Sequence, residues 1–287
     1  MSTRIGDVVV DVADPADGAD RAAGAVVRAT IDRPRARNAL SPSVLDGLAA
    51  ACDVARDAQA SVFVVGGTGG TLSAGADLHH VHGLVGDRDG IDSYLTAIGA
   101  TLDRLADLPC VTVAVVGGHA VAGGCELLLA CDLAVAATDA GIGDRHLEYG
   151  LLPGAGGSVR LPRALPGALA RRLLYTGEIV DGATAHAWGL VSHVAPPGEL
   201  DATVEALVAR LARHSPAALH AMKRLHRDAA PPADAATLAA ERAVAVAHLS
   251  GSPAVREGLE AFRTGRPPDF SPGGPVAVGP RIEDEST

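Results

Sequence analysis

Two glycine-rich loops carry the residues with the most to offer chemically. The first is Thr71-Leu-Ser-Ala-Gly-Ala-Asp-Leu78, and the second is Gly117-Gly-His-Ala-Val-Ala-Gly-Gly-Cys-Glu126. Each follows a strand-like apolar run, and the second leads straight into a helix expected to start near Gly123. Small residues there let a backbone approach a ligand closely, and a helix start presents unpaired N–H groups with partial positive charge. One N–H from each loop, converging on one point, makes a two-donor oxyanion hole for a carbonyl oxygen that takes up negative charge. The same residues also meet a plainer requirement, since tight strand-to-helix turns need glycine for steric reasons. His79, His80 and His82, just beyond the first loop, invite a metal. No spaced cysteine or carboxylate completes a zinc set around them, so no metal site is expected.

The elements that must position these loops can be read from hydrophobic period. Val8–Val12 and Ala25–Ile31 are β-branched runs joined by the acidic segment Asp14–Asp20, which predicts two neighbouring strands and a solvated loop. From Ser41 the period changes: Val44, Leu45, Leu48, Ala51 and Cys52 share a helical face, with Ser41 as cap and Pro42 presetting the first turn. Strand-like Ser61–Gly67 and Val111–Gly118 bracket a helix bearing Ile91, Tyr94, Leu95, Ile98, Leu102 and Leu105. A further apolar run, Leu133–Ala137, follows a short helical stretch. Strands alternating with amphipathic helices predict an α/β body over residues 1–195. Beyond Gly156 the strand signal fades, and helical spacing runs through Leu200–Leu211, Pro216–Leu225, Ala235–Leu249 and Ala254–Phe262. Residues 196–270 therefore form a helical C-terminal region, and the Pro/Gly-rich, acid-ended segment 271–287 reads as a disordered tail.

Composition excludes several classes. The 287 residues carry 24 basic and 34 acidic side chains, a net charge of −10, which argues against nucleic-acid binding. With 48% hydrophobic and only 2% aromatic residues, the core must be built from Ala, Val and Leu. Cys52, Cys110, Cys125 and Cys131 form no C-x-x-C pair and read as reduced, buried thiols. The acid-containing N-terminus does not read as a secretory signal, and no uncharged apolar stretch approaches the roughly 20 residues that span a bilayer. A soluble, cytoplasmic protein with no membrane partner is the expectation. Gly154-Ala-Gly-Gly-Ser-Val159 follows Leu-Leu-Pro rather than a strand and lacks the remaining dinucleotide signature. No G-x-S-x-G nucleophile elbow occurs.

Ile31–Leu40 (IDRPRARNAL), Ser73–Leu78 (SAGADL), Gly117–Ala136 (GGHAVAGGCELLLACDLAVA), Gly150–Arg163 (GLLPGAGGSVRLPR) and Glu257–Phe270 (EGLEAFRTGRPPDF) together resemble the enoyl-CoA hydratase/isomerase, or crotonase, family. The resemblance covers about residues 25–270 in order and with ordinary spacing. It implies a crotonase-like spiral of ββα units with a helical C-terminal trimerisation region. It also implies a homotrimer or hexamer, and an acyl-CoA thioester substrate. No separate cofactor is implied, because coenzyme A is part of that substrate. By motif position, the backbone N–H groups of Ala76 and Gly123 would form the oxyanion hole, and Glu126 matches a catalytic glutamate of hydratase members. Its helix-start setting favours ionisation. Ala74, Asp77 and Leu78 of the first loop, Arg35 and Arg37 after the strand ending at Ile31, and Lys223 and Arg266 in the C-terminal helices would contact substrate or coenzyme A.

The second hydratase glutamate is where this sequence departs. Hydratases read like F-G-x-P-E, whereas here the stretch is Ile142-Gly-Asp-Arg-His-Leu-Glu-Tyr-Gly150. An ungapped count back from Gly150 and Pro153 puts His146 at the glutamate position, with Asp144 and Glu148 two residues to either side. An imidazole of ordinary pKa about 6.5 can act as acid or base near neutrality, and beside Glu126 it replaces carboxylate repulsion with attraction. Hydration across C2–C3 is the reaction this pattern favours. Isomerisation, decarboxylation, dehalogenation and thioester hydrolysis use the same oxyanion hole, and a non-catalytic acyl-CoA-binding protein is the reading that loss of the second glutamate suggests. Simple isomerase members keep a carboxylate at the His146 position and an apolar group at the Glu126 position, the reverse of this chain.

Overall fold

The computed structural model describes residues 2–13, 24–229 and 235–270. The chain runs β1 (Ser2–Ile5), β2 (Val8–Ala13), β3 (Val26–Ile31), α1 (Pro42–Asp57), β4 (Val62–Gly67), α2 (Leu78–Gly83), α3 (Arg88–Ala106) and β5 (Val111–Val116). It continues through β6 (His119–Val121), α4 (Gly123–Leu129), β7 (Leu133–Ala137), β8 (Gly141–Gly143), a 3-10 turn (His146–Tyr149), α5 (Gly157–Ala164), α6 (Gly167–Thr176), α7 (Gly182–Ala187) and β9 (His193–Ala195). Four helices follow: α8 (Leu200–Ala212), α9 (Pro216–Ala229), α10 (Ala235–Gly251) and α11 (Pro253–Thr264).

The main sheet has the order β1-β2-β3-β4-β5-β7-β9, antiparallel from β1 to β3 and parallel thereafter. Its central strands are covered on both faces, which is why Val62-Phe63-Val64-Val65 is buried without alternation. β6 and β8 form a small second parallel sheet. In β5-β6-α4, one strand lies in the main sheet and the next in the small sheet, followed by the helix; this is the ββα repeat of the spiral. Single bridges extend the small sheet, with Ser73 pairing Ala120 and Ile142 pairing Val180. The first bridge sets the loop after β4 directly beside the loop before α4.

The α1 face foreseen from Val44, Leu45, Leu48, Ala51 and Cys52 is buried, and the Ser41 hydroxyl accepts from the Val44 N–H at 3.3 Å. The structure adds elements with no periodic signal. β1 is largely exposed, and β6, β8 and β9 have three residues each, too few for a period to register. β9 also completes the main sheet beyond Gly156, where strand signal is absent. The C-terminal helices share the core rather than forming one of their own. Leu200, Val204, Leu207 and Val208 of α8, Ala245, Val246 and Leu249 of α10, and Val255 and Leu259 of α11 join the same buried cluster as the sheet. The expected loop Asp14–Asp20 and tail 271–287 lie outside the described residues.

Candidate active site

The loop after β4 is held by side chains at its back. Asn38 is fully buried; its Nδ2 donates to the carbonyls of Thr68 (3.1 Å) and Thr71 (2.6 Å), while its Oδ1 accepts from the Arg33 N–H. The Ala74 N–H donates to the Arg37 carbonyl, and the Gly75 N–H donates to the Ser73 hydroxyl at 3.1 Å. Tyr94, buried on α3, accepts from the Asp77 N–H at 2.9 Å and donates to the Leu40 carbonyl. These bonds leave out the Ala76 N–H, which has no acceptor among the described residues.

Gly75 has φ +99°, and a Cβ there would stand 2.9 Å from Ala122 Cβ and 3.0 Å from the Gly123 nitrogen. Glycine is required on both counts. Ala122 itself adopts φ 51°, ψ −121°, a strained conformation for a residue with a side chain. This turn is what aims the Gly123 N–H, the first of α4, away from the helix body. That N–H also lacks an acceptor among the described residues, and a Cβ on Gly123 would lie 3.3 Å from the Ala76 nitrogen. Two N–H donors without an acceptor among the described residues, one from each loop, thus lie close together, as an oxyanion hole would require.

One turn into α4, Glu126 is 3% exposed, and its Oε1 accepts from the N–H groups of Ala155 (2.9 Å) and Gly157 (2.8 Å) at the start of α5. Its Oε2 lies 4.0 Å from Nε2 of the buried His146. Burial raises the Glu126 carboxyl to about 7, against the pull of the His146 charge and the Gly157 N–H. Burial thus works against the ionisation that the helix-start setting favours. Burial pulls the His146 imidazole down, but the charges of Asp144, Glu126 and Glu241 more than reverse this and raise it to about 9.

Of the three side chains left open for this position, His146 alone has a ring nitrogen toward Glu126. Asp144, 2% exposed, sits behind the imidazole, its Oδ2 3.1 Å from Nδ1. Glu148 points outward and pairs with Arg145. Gly157 packs against this group so closely that a Cβ would lie 3.1 Å from Glu126 Oε1, 3.2 Å from Asp144 Oδ2 and 2.9 Å from Pro153 Cβ. Gly157→Ala is therefore expected to lower stability by about 1–3 kcal/mol through overpacking, read from the denaturant midpoint.

The remaining residues foreseen as contacts are placed as follows. Arg35 and Arg37 are exposed and form no ion pair among the described residues. Ala74 and Leu78 are half-buried on the first loop and at the start of α2. Asp77 caps α2, accepting from the N–H groups of His79 and His80, and pairs with Arg33 at 3.0 Å. Lys223 is buried, donating to the Cys110 carbonyl (2.9 Å) and pairing with Asp132 (2.7 Å). Arg266 pairs with Glu257, whose carboxyl it holds down at about 2. His79 packs edge-on against Phe262 and His80 against Tyr94. Among the described residues no cluster of three or more His, Cys, Asp or Glu side chains is placed to hold a metal.

Sequence reasoning did not single out Asn38, Tyr94 as a loop clamp, or Glu241. Glu241, from α10, accepts from the Gly156 and Ser158 N–H groups. The four successive amides 155–158 are therefore shared alternately between Glu126 and Glu241. No sequence spacing reveals that pairing, because α4, α5 and α10 meet only in the folded chain.

A family model described as enoyl-CoA hydratase/isomerase matches residues 21–273. The 2,3-dehydroadipyl-CoA hydratase of Escherichia coli (strain K12) is 36% identical over 249 residues, covering 85% of this chain and 94% of that one. The mitochondrial methylglutaconyl-CoA hydratase of Rattus norvegicus is 33% identical over 247 residues, 84% and 77% of the two chains. The crystal structure of an enoyl-CoA hydratase from Mycobacterium avium subsp. paratuberculosis K-10 superposes with a TM-score of 0.75 at 30% identity, covering 92% of this chain and 98% of that one.

Proposed function

The chain belongs to the enoyl-CoA hydratase/isomerase family, and we propose that it adds water across the C2–C3 double bond of an acyl-CoA thioester with Glu126 as base and His146 as acid. The observation that carries this reading is the convergence of a buried carboxyl and a buried imidazole, 4.0 Å apart, one turn of helix from a pair of free N–H donors. The Ala76 and Gly123 N–H groups take the thioester carbonyl oxygen and stabilise it as charge builds. Glu126 removes a proton from water while the water oxygen bonds to C3, and the C2–C3 π pair moves toward the carbonyl to give the enolate. His146 then delivers its Nε2 proton to C2, and transfer of the proton from Glu126 to His146 resets the pair. One water is consumed, and the product is the 3-hydroxyacyl thioester.

The exposed Arg35 and Arg37 supply cations for the coenzyme phosphates, and Ala74 and Leu78 flank the acyl entrance. Lys223 and Arg266 keep structural roles within the chain, and no cofactor beyond the substrate's own coenzyme A takes part. Free thiols at all four cysteines fit a reducing compartment such as the cytoplasm. No helix among the described residues is long and apolar enough to cross a membrane.

Incubation with a panel of 2-enoyl-CoA thioesters, followed by mass spectrometry, tests the reaction. The expected product is heavier by one water. Isomerised, decarboxylated or hydrolysed thioester as the sole product would move the chain to another reaction of the family.

A trimer, or a hexamer of two trimers, is the assembly we propose. Met222 is 65% exposed and Leu225 59% exposed, and with Ala218 they line one outward face of α9. Light scattering is expected to give a multiple of three of the 28.8 kDa chain, and Leu225→Glu to lower that mass. A wild-type monomer at micromolar concentration would contradict the assembly.

A further inference from the structure

Asp144 is a buried carboxylate whose oxygens both turn toward one residue two positions along the chain. Its Oδ1 lies 3.3 Å from the His146 backbone nitrogen, and its Oδ2 lies 3.1 Å from the His146 ring Nδ1. The turn between them is made by Arg145, which adopts the left-handed conformation at φ 57° and pairs outward with Glu148. That kink brings Asp144 and His146 to the same inner side. The ring contact is close but off the axis of a well-aligned hydrogen bond, so charge contributes more than geometry.

Resting on the hydration reading above, we propose that Asp144 is a positioning residue: it keeps a proton on His146 Nδ1, so that Nε2, facing Glu126, is the nitrogen that gives up and regains the catalytic proton. A carboxylate beside one ring nitrogen accepts only from N–H, which selects the Nδ1–H tautomer whenever the ring is neutral. The exchangeable proton is then confined to Nε2, the nitrogen on the substrate side. Asp144, at 3.1 Å from Nδ1, outweighs the opposing pull of Glu126, at 4.0 Å from Nε2, on the tautomer, and all the charged groups around the ring favour its protonated form. Glu126 on α4 lies 4.0 Å from Nε2, and Glu241 on α10 adds negative potential from behind the start of α5. The first amides of α5, which oppose these charges, are already taken by Glu126 and Glu241. With three carboxylates present, the imidazole stays protonated through neutrality, as an acid must.

The test is Asp144→Asn, which keeps the shape of the side chain and removes its charge. Nitrogen-15 NMR of the histidine ring is expected to show the His146 midpoint lowered by about one pH unit or more. The falling alkaline limb of the pH–rate profile should move down with it, and kcat should drop by about 10- to 100-fold with KM little changed. A His146 midpoint and alkaline limb that stay at their wild-type values would overturn the proposal. If the variant does not fold, the wild type decides: above its midpoint the ring should be the Nδ1–H tautomer, and finding Nε2–H instead rules the assignment out. Both ring measurements are made without substrate. A wild type that hydrates no thioester therefore defeats the hydration reading, while the ring spectra still decide the role of Asp144.

Discussion

Glu126→Gln is expected to lower kcat by about 100- to 10,000-fold, the range spanned by loss of a general base, while thioester binding persists. The substitution is nearly isosteric, and a glutamine Oε1 can still accept from the Ala155 and Gly157 N–H groups that now bind the carboxylate. The start of α5 should therefore hold its place, and the loss falls on chemistry rather than on folding. Equilibrium binding of a non-reacting acyl-CoA, alongside turnover, separates the two. A variant retaining wild-type turnover would remove Glu126 from the reaction.

The pH profile of the wild type provides an independent check with a defined sign. A base works ionised, so the rate should rise as pH passes through about 7, where burial has placed the Glu126 carboxyl. An acid works protonated, so the rate should fall as pH passes through about 9, where the surrounding carboxylates have placed His146. The two groups interact, so both limbs are properties of the pair. With Glu126→Gln the acid limb of any residual activity should vanish. The alkaline limb should move down, because one of the charges that raise His146 is gone.

The division between what was legible in the sequence and what was not follows how local each constraint is. Gly75 and Gly123 announce themselves because the two loops approach closely there: a Cβ on Gly75 would strike Ala122 at 2.9 Å, and one on Gly123 would press on Gly75 Cα at 3.2 Å. Glu126 is legible because it lies one helical turn after Gly123, so its distance from the donors is set by one short helix. His146 could be placed by counting and preferred on that count, but the facing of its side chain relative to Asp144 and Glu148 could not be read. That facing follows the left-handed turn at Arg145, around which Asp144 and His146 are buried while Leu147 and Glu148 are exposed. The ionisation of Glu126 was less legible still. A helix start is visible in sequence, whereas the enclosure that works against it is contributed by α5 and by Glu241 of α10. Lys223 and Arg266 illustrate the same limit, since their partners Asp132 and Glu257 become neighbours only through packing and local capping.

Ala76→Pro should lower turnover by about 100- to 1,000-fold, the cost of losing one oxyanion donor, with Ala76→Gly close to wild type. The Ala76 N–H has no acceptor among the described residues. Ala74, Gly75 and Asp77 to either side spend theirs on Arg37, Ser73 and Tyr94. Proline at this position thus deletes a hydrogen bond only from the transition state, and its ring fills the space where the thioester oxygen would sit. Glycine removes a methyl group and leaves the donor in place, so it controls for any contribution of the side chain. If the proline variant merely disturbed the loop, the contacts of Asn38 and Tyr94 behind it should weaken too, and thermal stability would fall along with activity. The oxyanion reading expects lost turnover with a melting temperature close to wild type. Equal turnover in the folded proline and glycine variants would show that the Ala76 N–H does not hold the substrate oxygen.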